Sequence, residues 1–400
     1  MCNDLKVNEM RKGLITVEFG ELVNLGKDKF NPTTNANMPC IELEHIDSGT
    51  GTINGSVDSR EQKSLKNVFH KGDILFSKLR PYLRKYWFAD FDGVCSSEIW
   101  VLKPKEIVLP QYLFYLIQTE EFIRISNVSS GSKMPRADWD FINHYPLTII
   151  HSLPEQHRIV SVLSLWDTAI AKQTALIEKL TLRKRGLMQQ LLTGKKRLKG
   201  FEGEWKEVRL GEIGVFFKGG GVPKNKIINA GNKCLTYGDL YTKYDFVISD
   251  VKSYIDDDTA NESVKIQYGD ICFAGSGETK EDIGKCAAFI DGDYAYAGGD
   301  IIVFRANDCN PITLSYILNS DNVIRQKSNM GQGHSVVHIY PYQLEKLTIK
   351  IPSRAEQDAI SKILMESDKE IELQKQKLSA IQEQKKGLMQ VLLTGKRRVK

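Results

Sequence analysis

No stretch of this 400-residue chain is apolar for long enough to cross a membrane as a helix. Its first residues, Met-Cys-Asn-Asp-Leu-Lys, lack the apolar core of an export signal, so no membrane partner and a cytoplasmic setting are expected. Cysteine is sparse: Cys2, Cys40, Cys95, Cys234, Cys272, Cys286 and Cys309 are odd in number, scattered, and never spaced Cys-x-x-Cys. They are expected to be reduced, mostly buried thiols rather than disulfides or zinc ligands. There is no Gly-x-x-x-x-Gly-Lys-[Ser/Thr] loop, which excludes a phosphate-cradling ATP site of that type. There is no Asn-Pro-Pro-aromatic run of the kind amino-methyltransferases use; Asn31-Pro32-Thr33 and Asn310-Pro311-Ile312 read as turns. The seven histidines form one close pair, His334/His338, with no carboxylate or cysteine at ligand spacing, so no metal site is expected. Charge of either sign is nearly balanced, at a net +5.

What the chain does have is a repeat. Residues 152–199 and 353–400 align without a gap: Ser353 stands 201 positions after Ser152, and Gly387 201 after Gly186. Each copy opens on Ser-x-x-Glu (Ser152/Glu155, Ser353/Glu356), a capping-box pattern, and closes on Leu-Leu-Thr-Gly-Lys, whose glycine suits the left-handed residue past a helix end. Pro154 falls in the first turn, where a missing N–H does no harm.

Inside each copy apolar residues recur in steps of four and three, the 3.5-residue period of a coiled-coil seam. Copy one presents Ile159, Leu163, Trp166, Ile170, Ile177, Leu180, Leu187 and Leu191. Copy two presents Ile360, Leu364, Ile371, Leu378, Ile381, Leu388 and Leu392, with Ser367 at the place of Trp166. The polar interruptions recur in register too, as Gln173/Gln374 and Lys184/Lys385. Such residues weaken a seam but fix its register and partner. A lone amphipathic helix docked on its own domain would show the same period. Two copies in one register make a pair of helices from one chain the simplest use, a spacer on the order of 50–60 Å long.

Basic clusters recur with the repeat: Arg183-Lys184-Arg185 and Lys195-Lys196-Arg197, then Lys385-Lys386 and Lys396-Arg397-Arg398. Clusters near a helix C-terminus suit the dipole, and on a repeated rod they also fit a polyanion. Before each helix lies a block of short β-type runs, and the two blocks correspond weakly. Lys71-Gly72-Asp73-Ile74 matches Tyr268-Gly269-Asp270-Ile271, the helical run 113–117 matches 314–318, and Pro-Leu-Thr-Ile (146–149) matches Lys-Leu-Thr-Ile (346–349). The loops between these points differ almost completely. The junction Gly200-Phe201-Glu202-Gly203-Glu204-Trp205 reads as a glycine-punctuated hinge.

Two unlike blocks, each followed by the same long helix ending in Leu-Leu-Thr-Gly-Lys, with a Gly-Phe-Glu-Gly-Glu-Trp junction after the first, resemble the specificity subunit of type I restriction–modification systems. The resemblance covers nearly the whole chain. It implies an α+β fold of two pseudo-symmetric halves, each a mixed target recognition domain followed by a long helix, the helices pairing as an antiparallel coiled coil. The implied boundaries are a tail at 1–13, recognition domains at 14–151 and 200–351, and helical spacers at 152–199 and 352–400. The resemblance also implies double-stranded DNA, two modification (methyltransferase) subunits and restriction (translocase/nuclease) subunits as partners. Catalysis and cofactors would then belong to those partners: S-adenosylmethionine, ATP and Mg²⁺, with none in this chain.

Loops rich in arginine, lysine, glutamine, asparagine and serine are the candidates for reading DNA. In the first block these are 77–85, with Lys78, Arg80 and Arg84, and 129–136, with Ser132, Lys133 and Arg136. In the second they are 276–280, with Lys280, and 329–335, with Gln332 and His334. A glycine-rich loop carrying Lys218, Lys224 and Asn225 adds backbone able to approach a phosphate. Tyr82 and Met134 are equally suited to anchoring their loops from within. A rival reading is a self-contained Mg²⁺ nuclease, since Asp270, Glu278 and Lys280 loosely fit an Asp…Glu-x-Lys pattern. Against it, Asp73 follows the same turn glycine as Asp270 and has no Glu-x-Lys behind it.

Overall fold

The computed structural model describes residues 13–34, 37–128, 134–222, 224–292, 294–333 and 336–399. The chain divides into two compact units: one takes the chain up to Thr174 together with Gln376 onwards, the other takes Ala175–Lys375. The division falls inside the two long helices, Leu153–Leu191 and Arg354–Leu392, each of 39 residues. Each unit therefore holds the first part of one long helix and the last part of the other against its own β-rich block.

In the first unit, Leu14–Glu18 pairs antiparallel with Pro146–Ile150, the strand that leads into the first long helix. A four-stranded sheet is centred on Ile99–Pro104 and Ile74–Ser77. A five-stranded sheet contains one parallel pair, Pro39–Ile41 beside Gly93–Cys95. The second unit repeats the plan. Lys206–Arg209 pairs with Thr348–Ile351, Ile271–Ala274 with Ile301–Ala306, and Asn232–Leu235 lies parallel to Tyr294–Ala297; this unit adds a second parallel pair, Val247–Ile248 beside Cys286–Phe289. The matched turns are the same object: Gly72 and Gly269 both sit at φ +95°, each followed by a buried aspartate. Asp73 accepts from the His70 amide at 2.8 Å, and Asp270 from the Gln267 amide at 2.9 Å.

Within each unit the seam residues are shielded from solvent. Ile159, Leu163, Leu180, Leu191, Ile360, Leu364, Ile371 and Leu392 are buried; Trp166, Ile170, Ile177, Leu187, Leu378, Ile381 and Leu388 are half-buried. The two ends of the seam do more than join helix to helix. Ile159 and Leu163 enter one core with Tyr112, Leu116, Leu392 and Leu393, and Ile360 and Leu364 enter another with Leu191, Leu192, Tyr316 and Leu318.

Within each unit the helix segments run antiparallel, as their polar contacts show. Lys385 donates to Asp167 at 2.5 Å in the first unit, while Arg398 donates to both oxygens of Glu155. In the second, Lys184 donates to Asp368, and Arg197 grips Glu356 through two bonds of 2.8 Å. Glu155 and Glu356, the glutamates of the capping-box pattern, are thus held by arginines from the tail of the other helix. Gly194 and Gly395 end the helices at φ +68° and +67°, the left-handed conformation that glycine admits.

These pairs also change the reading of the basic clusters. Arg183, Lys184, Arg197, Lys385, Lys386 and Arg398 are all engaged with carboxylates of the chain itself. A seam lysine bound to aspartate is an internal pin, and it is not free to meet a polyanion. Of the 200–205 junction, Gly200 and Gly203 do take positive φ, at +91° and +94°. Trp205 packs on the core of the second unit, with the Arg197 guanidinium 6.0 Å from its ring centre.

Candidate nucleic-acid interface

In the first unit the strand Ile74–Ser77 leaves the core and hands the chain to the loop 78–85. The turn is set by Ser77, whose buried hydroxyl donates to the Leu79 carbonyl at 2.8 Å. Next, 78–80 lies against 135–137: Ala137 N bonds Lys78 O at 2.8 Å, Arg80 N bonds Pro135 O at 2.8 Å, and Leu79 bridges Arg136. Two segments more than fifty residues apart in sequence thus form one ledge.

Beyond it, a single 3₁₀ turn, Pro81–Leu83, is flanked by Arg80 and Arg84 at φ 49° and 51°. Left-handed backbone costs a non-glycine residue on the order of 1 kcal/mol, and such strain gathers at functional sites. Arg80 is exposed, Lys78 half-buried, and neither has a side-chain partner among the described residues. Tyr82 and Met134 are 52% and 51% exposed, so they are not inward anchors.

Two of the candidate arginines have internal work. Arg84 donates to Glu120 at 2.6 Å, and Lys386 reaches the same carboxylate at 2.9 Å. These hydrogen bonds hold the Glu120 carboxyl at about 2, well below its ordinary value. Arg136 is paired with Glu98 at 2.9 Å. Ser132 and Lys133 lie outside the described residues.

The second unit builds the same ledge from different residues. Ser276–Gly277 pairs antiparallel with Val337–His338, and the Ser276 hydroxyl lies 3.0 Å from His338 Nδ1. Gln332 and His338 exchange backbone bonds of 2.9 and 2.7 Å. The Tyr241 hydroxyl is 3.1 Å from the carbonyls of both Ser276 and Asp282, holding the base of the loop between them. Burial raises the Tyr241 phenol above its ordinary range, so it stays a donor. Glu278, Thr279 and Lys280 stand exposed at the tip, as does Gln332 on the neighbouring loop; Lys280 and Gln332 carry no side-chain partner among the described residues. His334 lies outside them.

Next to this ledge is a cavity of about 640 Å³ lined by Lys218, Gly221, Val222, Thr236, Tyr237, Gly298, Gly299 and Asp300. The Gly275 amide bonds the Asp300 carbonyl at 2.7 Å, which joins the cavity wall to the strand before Ser276. Lys218 and Asn225 are exposed; Lys224 belongs to the 3₁₀ turn Lys224–Lys226. The glycines here are not all free for a phosphate. A Cβ on Gly219 would stand 2.0 Å from the Gly298 carbonyl, and one on Gly220 2.5 Å from the Glu262 carbonyl. They serve close packing of backbone on backbone, and only Gly221 opens onto space.

The nuclease constellation is not assembled. Asp270 is 1% exposed, and Arg305 takes both its oxygens at 2.8 Å. The strand Ile271–Ala274 separates it from Glu278 and Lys280, which face solvent on the loop tip. Among the described residues no three histidine, cysteine or acidic side chains cluster to hold a metal. The six described cysteines are free thiols, all but Cys309 buried. Among the same residues no helix is long and apolar enough to cross a membrane.

Nothing in the bare sequence announced that the paired loops are neighbours, or that Asp167, Asp368, Tyr115 and Tyr316 matter. Tyr115 donates to Asp167 at 2.5 Å, and Tyr316 to Asp368, so each aspartate gathers a seam lysine and a buried phenol. Burial and the neighbouring carboxylate push both phenols above the ordinary tyrosine range. The signal available was the offset: each of these residues has its twin 201 positions away.

Comparison with known proteins agrees with this plan. The family model for the type I restriction modification DNA specificity domain matches residues 14–182 and again 202–383. The type I restriction enzyme MjaVIII specificity subunit of Methanocaldococcus jannaschii is 25% identical over 328 residues, 78% of this chain and 76% of that protein. Among solved structures, a chain from work on complex assembly and conformational transition of the type I R-M system superposes with a TM-score of 0.62 at 19% identity, covering 95% of this chain and 97% of that one. The type I restriction-modification S subunit of M. genitalium gives 0.54 at 16% identity, covering 95% and 96%. With two copies of the domain, a shared scaffold and unlike loops, the chain belongs to the family of type I restriction–modification specificity subunits, and is a DNA-recognition subunit.

Proposed function

We propose that the blocks 14–151 and 200–351 each read one half of a split, asymmetric duplex target, and that the long helices fix the interval between the halves. The observation that carries this is the duplicated ledge. In each unit two loops are tied side by side at the same point of the scaffold, 78–80 with 135–137 and 276–277 with 337–338. The scaffold is common and the residues on it are not, as two readers of unlike sequences require. Arg80 and Lys78 in one unit, and Lys280, Gln332 and Lys218 in the other, have no side-chain partner among the described residues and are suited to bases or phosphates.

The chain has no catalytic role of its own in this reading. Two modification subunits dock on it and flip and methylate the adenine, and restriction subunits join the larger cytoplasmic assembly. S-adenosylmethionine, ATP and Mg²⁺ are held by those partners. The test is binding of the co-expressed complex to duplex DNA over a range of salt. Affinity should fall with salt, and each phosphate-contacting lysine removed should flatten the slope by about one counterion. Binding that ignores salt would sink the proposal.

A further inference from the structure

In the second unit, Lys327 is an unusual side chain to find in a core. It sits on the helix Asp321–Met330, is 1% exposed, and has no ion-pair partner among the described residues. Its Nζ lies over the Phe273 ring, 6.0 Å from the ring centre. Nζ donates to the Gly284 carbonyl at 2.7 Å. Gly284 is in the left-handed conformation at φ +68°, and ends the turn that follows the loop tip 278–281. Burying an amine is unfavourable, and an apolar side chain of the same length would fill the space. What the amine adds is the bond to that carbonyl.

The same helix launches the other loop of the ledge. The Gly331 amide bonds the Lys327 carbonyl at 3.0 Å, and a Cβ on Gly331 would lie 2.7 Å from Val337 and 3.3 Å from Ile283. Ile283 and Gly284 are therefore wedged between Lys327 and Gly331, and a shift of the turn moves both loops. Among the described residues of the first unit there is no such tie. The counterpart of Lys327, Ser126, 201 positions earlier, is buried and bonds Ile123 within its own helix.

We propose that Lys327 is a positioning residue for reading the second half-site: through Gly284 it holds the 278–281 tip and Gln332 in one fixed reading surface. This rests on the reading that those loops meet DNA. Burial also lowers the amine's pKa, which makes the protonated form the costly one in the folded state.

The test uses the full chain co-expressed with its modification partner. Methylated adenines are mapped across a genome, and sites bearing one mismatch are scored separately for each half of the motif. Lys280→Ala and Gln332→Ala identify the half read by this unit. Lys327→Met should then raise methylation of sites mismatched in that half several-fold, leave the other half as strict as before, and speed amide exchange over 278–285. Unchanged strictness in Lys327→Met, while Lys280→Ala alters it, overturns the positioning role alone. Equal loosening of both halves also overturns it, because it marks a general loss of structure. If neither tip variant touches either half, the loops do not read DNA and the proposal falls with that reading. Should Lys327→Met fail to fold, Lys327→Gln is scored in the same way, with the same outcomes deciding.

Discussion

Lys385 donates to Asp167 in one unit, and Lys184, 201 positions earlier, donates to Asp368, 201 positions after Asp167, in the other. A lysine on a helix seam is costly unless a carboxylate waits for it. Here the carboxylate comes from the opposite helix, and a tyrosine of the recognition block, Tyr115 or Tyr316, completes the cluster. The Lys184 ammonium also lies 4.4 Å from the Phe246 ring centre.

Removing one member should therefore destabilise more than a surface ion pair would. Lys184 is 10% exposed in its side chain and Asp368 40%, so water screens part of the pair. Lys184→Met should lower unfolding free energy by about 1–2 kcal/mol, between the ranges for exposed and buried pairs. Chemical denaturation of Lys184→Met, Asp368→Asn and the double variant should show coupling, and strict additivity would contradict the cluster.

A second expectation concerns acid. Glu120 titrates at about 2 in the folded chain because Arg84 and Lys386 bond it, against an ordinary value near 4.5. Its folded pKa is depressed, so its contribution is present above the unfolded value and is lost as pH falls toward the folded one. Glu120→Gln should accordingly have a flatter acid limb of stability between about 4.5 and 2. An acid limb identical to that of the unaltered chain would contradict the bonding.

The third follows from the repeat. Residues 175–199 repeat 376–400, the segment that completes the first unit. In a fragment ending at Lys199, Lys184 and Arg197 of a second copy can take the places of Lys385 and Arg398 beside Asp167 and Glu155. Residues 1–199 should then form a homodimer, driven by the apolar seam each copy exposes. With modification subunits it should methylate an inverted repeat of the first half-site. Trp166 is the point of strain, because it meets positions fitted to the smaller Ser367. Sedimentation as a soluble monomer, or methylation of the parental asymmetric site, would defeat this.

A fourth separates reading from support. Arg80→Ala should weaken one half-site only, by about 1–3 kcal/mol for a guanine contact. Arg84→Ala and Arg136→Ala remove the pairs to Glu120 and Glu98 as well, so part of their effect should appear as lost stability without DNA. Binding and melting measured on the same three variants check this; an Arg80 variant that melts early and binds normally would reverse the assignment.

Much of this was legible before any coordinates. The helices, their register and their glycine ends follow from local periodicity, and local periodicity is written within a few turns of chain. The partners of the seam lysines were not, because Lys184 and Asp368 are 184 residues apart and no local pattern links them. Composition singled out Arg84 and Arg136 as readily as Arg80, although carboxylates of the chain already hold the first two. A loop's residue types do not disclose which of its charges are spent within the fold. Gly219 and Gly220 misled for a related reason, since close packing and ligand approach ask for the same residue.

Two unlike readers on one duplicated scaffold must show themselves in the methylation motif. The chain is co-expressed with its modification partner in a host lacking other adenine methylation, and modified adenines are mapped genome-wide. One bipartite, asymmetric motif is expected, its two halves separated by a fixed number of unread bases. The half-sites should lie about one helical turn, roughly 34 Å, apart. A single contiguous motif, or two halves at variable spacing, would contradict this reading.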